Sequence, residues 1–116
     1  MNICVIIPSY NESKVIADLV ERIKKSGLEA IVVDDGSQDN TAELAAQMGA
    51  MVLRNEEKQG KGASLRKGFA FAQQKSFAAV ITMDGDGQHD PTDIPNFLAA
   101  ANHKEPCLIV GNRLVD

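Results

Sequence analysis

Long hydrophobic runs are missing from this 116-residue chain, and that absence is the first constraint on what it is. No stretch approaches the roughly 20 apolar residues that cross a bilayer, and the first residues lack the basic-then-apolar layout of a secretory signal. Cysteine is scarce. Cys4 and Cys107 each sit inside an apolar run (ICVII and CLIV), which fits buried, reduced thiols in a cytoplasmic protein rather than a disulfide framework. Positive charge is short too: 12 Lys and Arg against 16 Asp and Glu leave a net charge of −4, so no basic stripe is available for nucleic acid. A small anionic ligand remains compatible, provided a cation bridges the like charges. Aromatics are sparse, and there is no internal repeat, linker or low-complexity segment. What is left has the composition and length of one globular domain with a modest core. Asn11-Glu12-Ser13 matches a glycosylation sequon, a chance match without a secretion signal.

Five apolar runs are present, and they alternate with segments of helical character. NICVII (2–7) ends at Pro8, after which Val15, Ile16, Leu19, Val20 and Ile23 recur at helical spacing until Gly27 stops them. EAIVVD (29–34) has consecutive apolar residues, as expected of a strand covered on both faces in a parallel sheet. Asn40 with Glu43 suits the cap of a short helix running to Met48. AMVLR (50–54) reads as a strand, 55–62 as a polar loop, and 64–75 as a helix burying Leu65, Phe69 and Ala72 around Gly68. FAAVITM (77–83), a helix over 92–102 and PCLIVG (106–111) complete the pattern. Such alternation predicts a three-layer α/β/α arrangement with a mainly parallel sheet and right-handed crossovers.

In such sheets ligands bind beyond the carboxyl ends of the strands. The polar clusters of this sequence fall there: PSYNE after the first strand, DDGSQDN after the second, DGDGQH after the fourth and GNR after the fifth. In an extended DGDGQH, side-chain alternation puts Asp84, Asp86 and Gln88 on one side. Two carboxylates and an amide oxygen form a hard oxygen set suited to Mg²⁺ or Mn²⁺, with positions left for substrate phosphates. An EF-hand is excluded because His89 and Pro95 stand where that loop needs Gly and Glu. A solvated acidic turn is the plainer alternative. Asp34 and Asp35 should face different ways, Asp35 either accepting hydrogen bonds from a base or ribose or simply opening an Asp-Gly turn. Tyr10 offers a face for stacking on a base and Glu12 a carboxylate for ribose hydroxyls, or a rim residue and a helix-dipole charge respectively. GKGASLRKG is neither a P-loop nor a dinucleotide fingerprint, which leaves Lys61 in a flexible loop at a helix start, with Arg66 and Lys67 on a solvated face.

IIPSYNE, VVDDGSQDNT, NEEKQGKGASLRKG, MDGDGQHDP and GNR, in this order and spacing, resemble the nucleotide-binding half of inverting GT-A glycosyltransferases of family 2. The branch they resemble most holds dolichyl-phosphate mannose synthase and the polyprenyl-phosphate glycosyltransferases. The resemblance covers essentially the whole chain. It implies that Pro8, Tyr10 and Glu12 line the base and ribose pocket, that Asp35 bonds the base, and that Lys61 lies near base or diphosphate. It implies further that Asp84 and Asp86, with Gln88, hold Mg²⁺ or Mn²⁺ on the diphosphate, and that Arg113 approaches phosphates or acceptor, although Asn112 replaces the usual serine. The implied partners are a UDP- or GDP-linked sugar and a lipid-phosphate or glycan acceptor. The implied location is cytoplasmic, at the cytoplasmic face of a membrane in the full-length protein.

Because the family's catalytic domain is about twice this length, residues 1–116 are expected to be the donor half alone, without a catalytic base. That half would bind donor without transferring sugar, and an exposed sheet edge would favour a dimer. Two other classes compete. A receiver-like signalling domain has similar length and acidic strand ends, but its acidic pair follows the first strand. A nucleotidyltransferase pairs aspartates with Mg²⁺ but opens with a Gly/Arg-rich phosphate loop that PSYNE lacks.

Overall fold

The computed structural model describes residues 2–83, 107–110 and 113–115. Its elements are β1 (Ile3–Ser9), α1 (Ile16–Lys25), β2 (Glu29–Asp34), α2 (Thr41–Gln47), β3 (Met51–Arg54), α3 (Lys61–Gln74), β4 (Ala79–Thr82), β5 (Cys107–Val110) and β6 (Arg113–Val115). The strands lie in the order β3-β2-β1-β4-β5-β6. All pairs are parallel except β5 with β6, where Val110 faces Arg113 in an antiparallel register. The predicted α/β architecture is therefore present. The run expected to stop at 111 is followed by a sixth strand that begins at Arg113, the last residue of GNR.

Strand alternation divides the core into two layers. Ile3, Val5 and Ile7 of β1, with Ala30, Val32, Ala79 and Ile81, face Ile16, Leu19, Val20 and Ile23 of α1 and Ala45 of α2. Cys4, Ile6, Ile31 and Val33 face the other way, against Ala72 of α3 with Leu65 and Phe69 half-buried beside it. Burial on both faces explains why Ile31, Val32 and Val33 can be apolar in succession, all fully covered. Each such side chain contributes about 1.5–3 kcal/mol of transfer free energy. The same burial leaves Cys4 a free thiol, its pKa pushed up to about 12.

Gly68 is what lets α3 approach the sheet. A Cβ there would stand 2.6 Å from Ile6 Cγ2 and 3.4 Å from Val33 Cγ2. All three helices end in the same hydrogen-bond pattern. In α1, Gly27 N–H donates to the Lys24 carbonyl and Leu28 N–H to that of Ile23; in α2, Gly49 and Ala50 donate to Ala46 and Ala45. The residue past each cap is left-handed, Gly27 at φ +83° and Gly49 at +96°, but in α3 it is Ser76 at +60°.

Two boundaries and one cap near the strand ends differ from expectation. β1 runs through Pro8 to Ser9, which costs little because its ladder with β4 has already ended at Ile6. Helix α3 begins at Lys61, three residues early, after Gly60 turns the chain at φ +101°. α2 starts after Asn40 as predicted, but Asn40 makes no side-chain cap; Asp39 instead accepts the Thr41 N–H. The helix expected over 92–102 lies outside the described residues.

Candidate nucleotide site

The switch point of this sheet is between β1 and β4, where the chain passes from the α1/α2 face to the α3 face. At their carboxyl ends the strands part: Met83 N–H donates to the Ile6 carbonyl, and β1 continues alone beside β2. The loops after β1 and β2 are stitched together along this edge. Asn11, left-handed at φ +53°, donates its N–H to Ser37 Oγ at 2.8 Å and accepts the Gln38 N–H at 2.9 Å on its Oδ1. Glu12 N–H donates to Thr41 Oγ1 at 2.9 Å, and Ser13 N–H to Asp39 Oδ2 at 3.2 Å. Asp39 also accepts the Thr41 hydroxyl, the chief reason its carboxyl is held below the ordinary range; the bonds from Ser13 and the Thr41 N–H act in the same direction, against a weaker effect of burial. Apart from the Thr41 hydroxyl, each donor here is a backbone amide that would otherwise be an orphan at a helix start or in a loop.

The two aspartates at the end of β2 do face different ways. Asp34, 1% exposed, accepts the Ser37 N–H on Oδ1, while its Oδ2 lies 3.5 Å from Arg54 Nε with no hydrogen bond. This is the strand-end capping role. Asp35, 4% exposed, instead gathers the loop that follows β3. Its Oδ1 accepts Asn55 Nδ2 at 2.9 Å and Gln59 N–H at 2.7 Å, and its Oδ2 accepts Gly60 N–H at 2.9 Å. Burial pushes the Asp35 carboxyl up, but these bonds and the nearby Lys58 charge outweigh it and leave the group below its usual range. A carboxylate offers about four acceptor positions, so one remains, on Oδ2.

The structure brings several predicted residues to this edge. Pro8 and Tyr10 are half-buried at the end of β1, and the Lys58 ammonium lies 4.0 Å above the Tyr10 ring centroid. Glu12 follows at the start of the turn into α1, its carbonyl accepting the Ile16 N–H. Lys61 occupies the first position of α3 rather than a flexible loop. Arg113 opens β6, next to Val110 in register. Asp84, Asp86 and Gln88 lie outside the described residues, directly after Met83. Lys67 is exposed, as expected of a solvated face, but it also makes contacts the sequence did not show: its Nζ donates to Asn55 Oδ1 at 2.9 Å and to the Arg54 carbonyl at 3.0 Å. Sequence reading also missed Asn11, Ser37, Asp39, Thr41 and Asn55, whose partners are 9 to 29 positions away. Asp39-x-Thr41 carries a local signal of its own, a short side chain bonding the amide two residues on.

A mainly parallel sheet with its switch point beside an acidic rim defines the open α/β class, in which ligands bind beyond the carboxyl ends of the strands. The particular family follows from sequence: residues 4–116 match the family model described as "Glycosyl transferase family 2", and the chain belongs to that family. An undecaprenyl-phosphate mannosyltransferase of Micrococcus luteus is 31% identical, the match covering 99% of this chain and 49% of that protein. A dolichol-phosphate mannosyltransferase of Pyrococcus furiosus is 34% identical over 99% of this chain and 34% of that one. Among solved structures, glucosyl-3-phosphoglycerate synthase of Mycobacterium tuberculosis, in complex with Mn²⁺, UDP-glucose and phosphoglyceric acid, superposes with a TM-score of 0.67. That match is 28% identical and covers 81% of this chain and 36% of that chain. The fold is thus the GT-A type. This chain spans about half the length of the curated relatives it matches. The two competing readings find no support. A receiver-like domain has the strand order 2-1-3-4-5, whereas β2 here lies between β1 and β3, and the matching family model is that of a glycosyl transferase rather than a nucleotidyltransferase.

Proposed function

We propose that residues 1–116 form the donor-binding half of an inverting glycosyltransferase that moves a sugar from a nucleoside diphosphate to a polyprenyl phosphate. The observation that carries the reading is the Asp35 carboxylate. It is buried at the rim, loaded with three donors from the chain and left with one acceptor position, and its own N–H donates to the carbonyl of Ser9, the residue before the half-buried Tyr10. An imide N–H of uracil or guanine is the complementary group. Tyr10 then stacks on the base, Pro8 closes the pocket floor, Glu12 takes the ribose hydroxyls, and Lys61 and Arg113 meet the phosphates. The relatives named above, which act on lipid phosphates by name, support the choice of acceptor. On this reading the longer protein works at the cytoplasmic face of a membrane; among the described residues no helix is long and apolar enough to cross one.

A divalent cation fits the donor set of the DGDGQH segment. Among the described residues no group of three His, Cys, Asp or Glu could hold a metal, and Asp34, Asp35 and Asp39 already accept N–H groups of the chain. Asp84, Asp86 and Gln88, which follow Met83 directly in sequence, offer such a hard oxygen set and would hold Mg²⁺ or Mn²⁺. Bound there, the ion would stabilise the departing nucleoside diphosphate as a Lewis acid. A polyprenyl phosphate is already anionic and needs no base from the chain to attack the anomeric carbon.

Calorimetric titration with UDP and GDP, each with and without Mn²⁺, tests this on the native chain and on Asp84→Asn. The expected result is metal-dependent binding of one nucleotide that Asp84→Asn weakens at least tenfold, about 1.4 kcal/mol. Metal-independent binding unaffected by that substitution would refute the metal assignment. No binding of either nucleotide would refute the donor site in this chain.

A further inference from the structure

Asn55 stands between a group that only donates and a group that only accepts. Lys67 Nζ, an ammonium with no acceptor, reaches its Oδ1 at 2.9 Å, and Asp35 Oδ1, a carboxylate with no donor, takes its Nδ2 at 2.9 Å. These two neighbours leave the amide one permitted orientation; a flip would set oxygen against carboxylate and NH₂ against ammonium. The fully buried Ser64 of α3 accepts the same Nδ2 at 3.3 Å, and the Asn55 backbone N–H is tied to the Asp34 carbonyl at 2.9 Å. Lys67 is itself fixed by its second bond, to the Arg54 carbonyl at 3.0 Å. The connection thus runs from α3, through the end of β3, to the end of β2.

We infer that Asn55 and Lys67 are positioning residues for nucleotide recognition: Lys67 orients Asn55, and Asn55 holds the Asp35 carboxylate so that its free Oδ2 position faces the base. This rests on the reading of Asp35 given above. Three donors converge on Asp35, but Gln59 and Gly60 belong to the loop the carboxylate itself gathers. Asn55 is the one donor whose aim is set from outside, by α3.

The test is a double-mutant cycle read by nucleotide titration, with melting temperature as the check on folding. Lys67→Met and Asn55→Ala should each weaken binding about tenfold, the loss expected when one charge-assisted bond no longer orients the acceptor. The double mutant should also lose about tenfold rather than a hundredfold, because both changes cut one connection. Lys67→Arg, which keeps the charge and the donors, should restore affinity to within about threefold. Independent losses that multiply would mean that Lys67 acts directly on the phosphates, and would overturn the inference. So would unchanged affinity in Lys67→Met, or failure of Lys67→Arg to restore it. If the native chain binds no nucleotide, the donor-site reading falls and takes this one with it; if the native chain binds and only the cycle fails, the donor-site reading stands alone.

Discussion

Replacing Gly68 by alanine adds a methyl 2.6 Å from Ile6 Cγ2 and 3.2 Å from Ile6 Cδ1, well inside van der Waals contact. Ile6 is wholly buried in the central strand between β2 and β4, so it has nowhere to withdraw. Relief requires α3 to move away from the sheet. Overpacking of this kind costs about 1–3 kcal/mol, and the better helix propensity of alanine returns about 0.8–1 kcal/mol. The net loss is about 1 kcal/mol and reaches about 2 kcal/mol at most, a fall in melting temperature of about 4 °C, and about 8 °C at most, for a chain of this size. Urea denaturation followed by far-UV circular dichroism would measure it. Pairing the change with Ile6→Ala sharpens the test, because that substitution removes the methyl that is struck. The new Gly68→Ala methyl then fills part of the cavity left behind, so the double mutant should lose less than the sum of the singles by about 1–2 kcal/mol. A Gly68→Ala protein as stable as the native chain, or more stable by the helix-propensity increment, would refute the close approach of α3. It would also undermine the placement of Lys67 against Asn55, since α3 carries Lys67.

Ser76 holds a left-handed conformation that suits glycine, so Ser76→Gly should stabilise the chain by about 0.5–1 kcal/mol in the same denaturation assay. Asp35 and Asp39 both titrate below their ordinary value of 3.8. Their contribution to stability is therefore complete above that value and is lost as pH falls below it toward the folded-state pKa values. Acid unfolding of Asp39→Asn should accordingly start from a lower stability at neutral pH and show a shallower decline below about pH 4 than the native chain.

Much of the fold was legible because its signals are local. Three consecutive apolar residues at Ile31, Val32 and Val33 imply a strand covered on both faces, and the strand ends marked by PSYNE and DDGSQDN converge as the switch-point rule requires. Boundaries failed where a backbone turn decided them. Gly60 starts α3 early through a left-handed dihedral that composition does not reveal, and Arg113–Val115 form a strand too short to show a period. Within the site, Asp35 could be picked out by its place after β2, whereas its partners could not. Gln59 and Gly60 meet it through backbone amides, which carry no side-chain identity, and Asn55 reaches it across 20 positions. The contacts of the exposed Lys67 were not legible because one helix face was read without the carbonyl edge of β3 beside it.

The most direct test of the account is an amide chemical-shift map of the isotopically labelled chain during titration with the diamagnetic Mg²⁺ complex of UDP or GDP. Saturable shifts should concentrate at Tyr10 to Ser13, Asp35 to Ser37 and Gln59 to Lys61, which follow the carboxyl ends of β1, β2 and β3, and at Asp84 to Gln88, which follow Met83 in sequence. Gly27 and Gly49, which precede β2 and β3 at the opposite edge, should stay in place. Shifts centred on the Gly27–Gly49 edge, or a saturable titration that leaves Gln59, Gly60 and the 84–88 segment unmoved, would contradict a donor site built around Asp35.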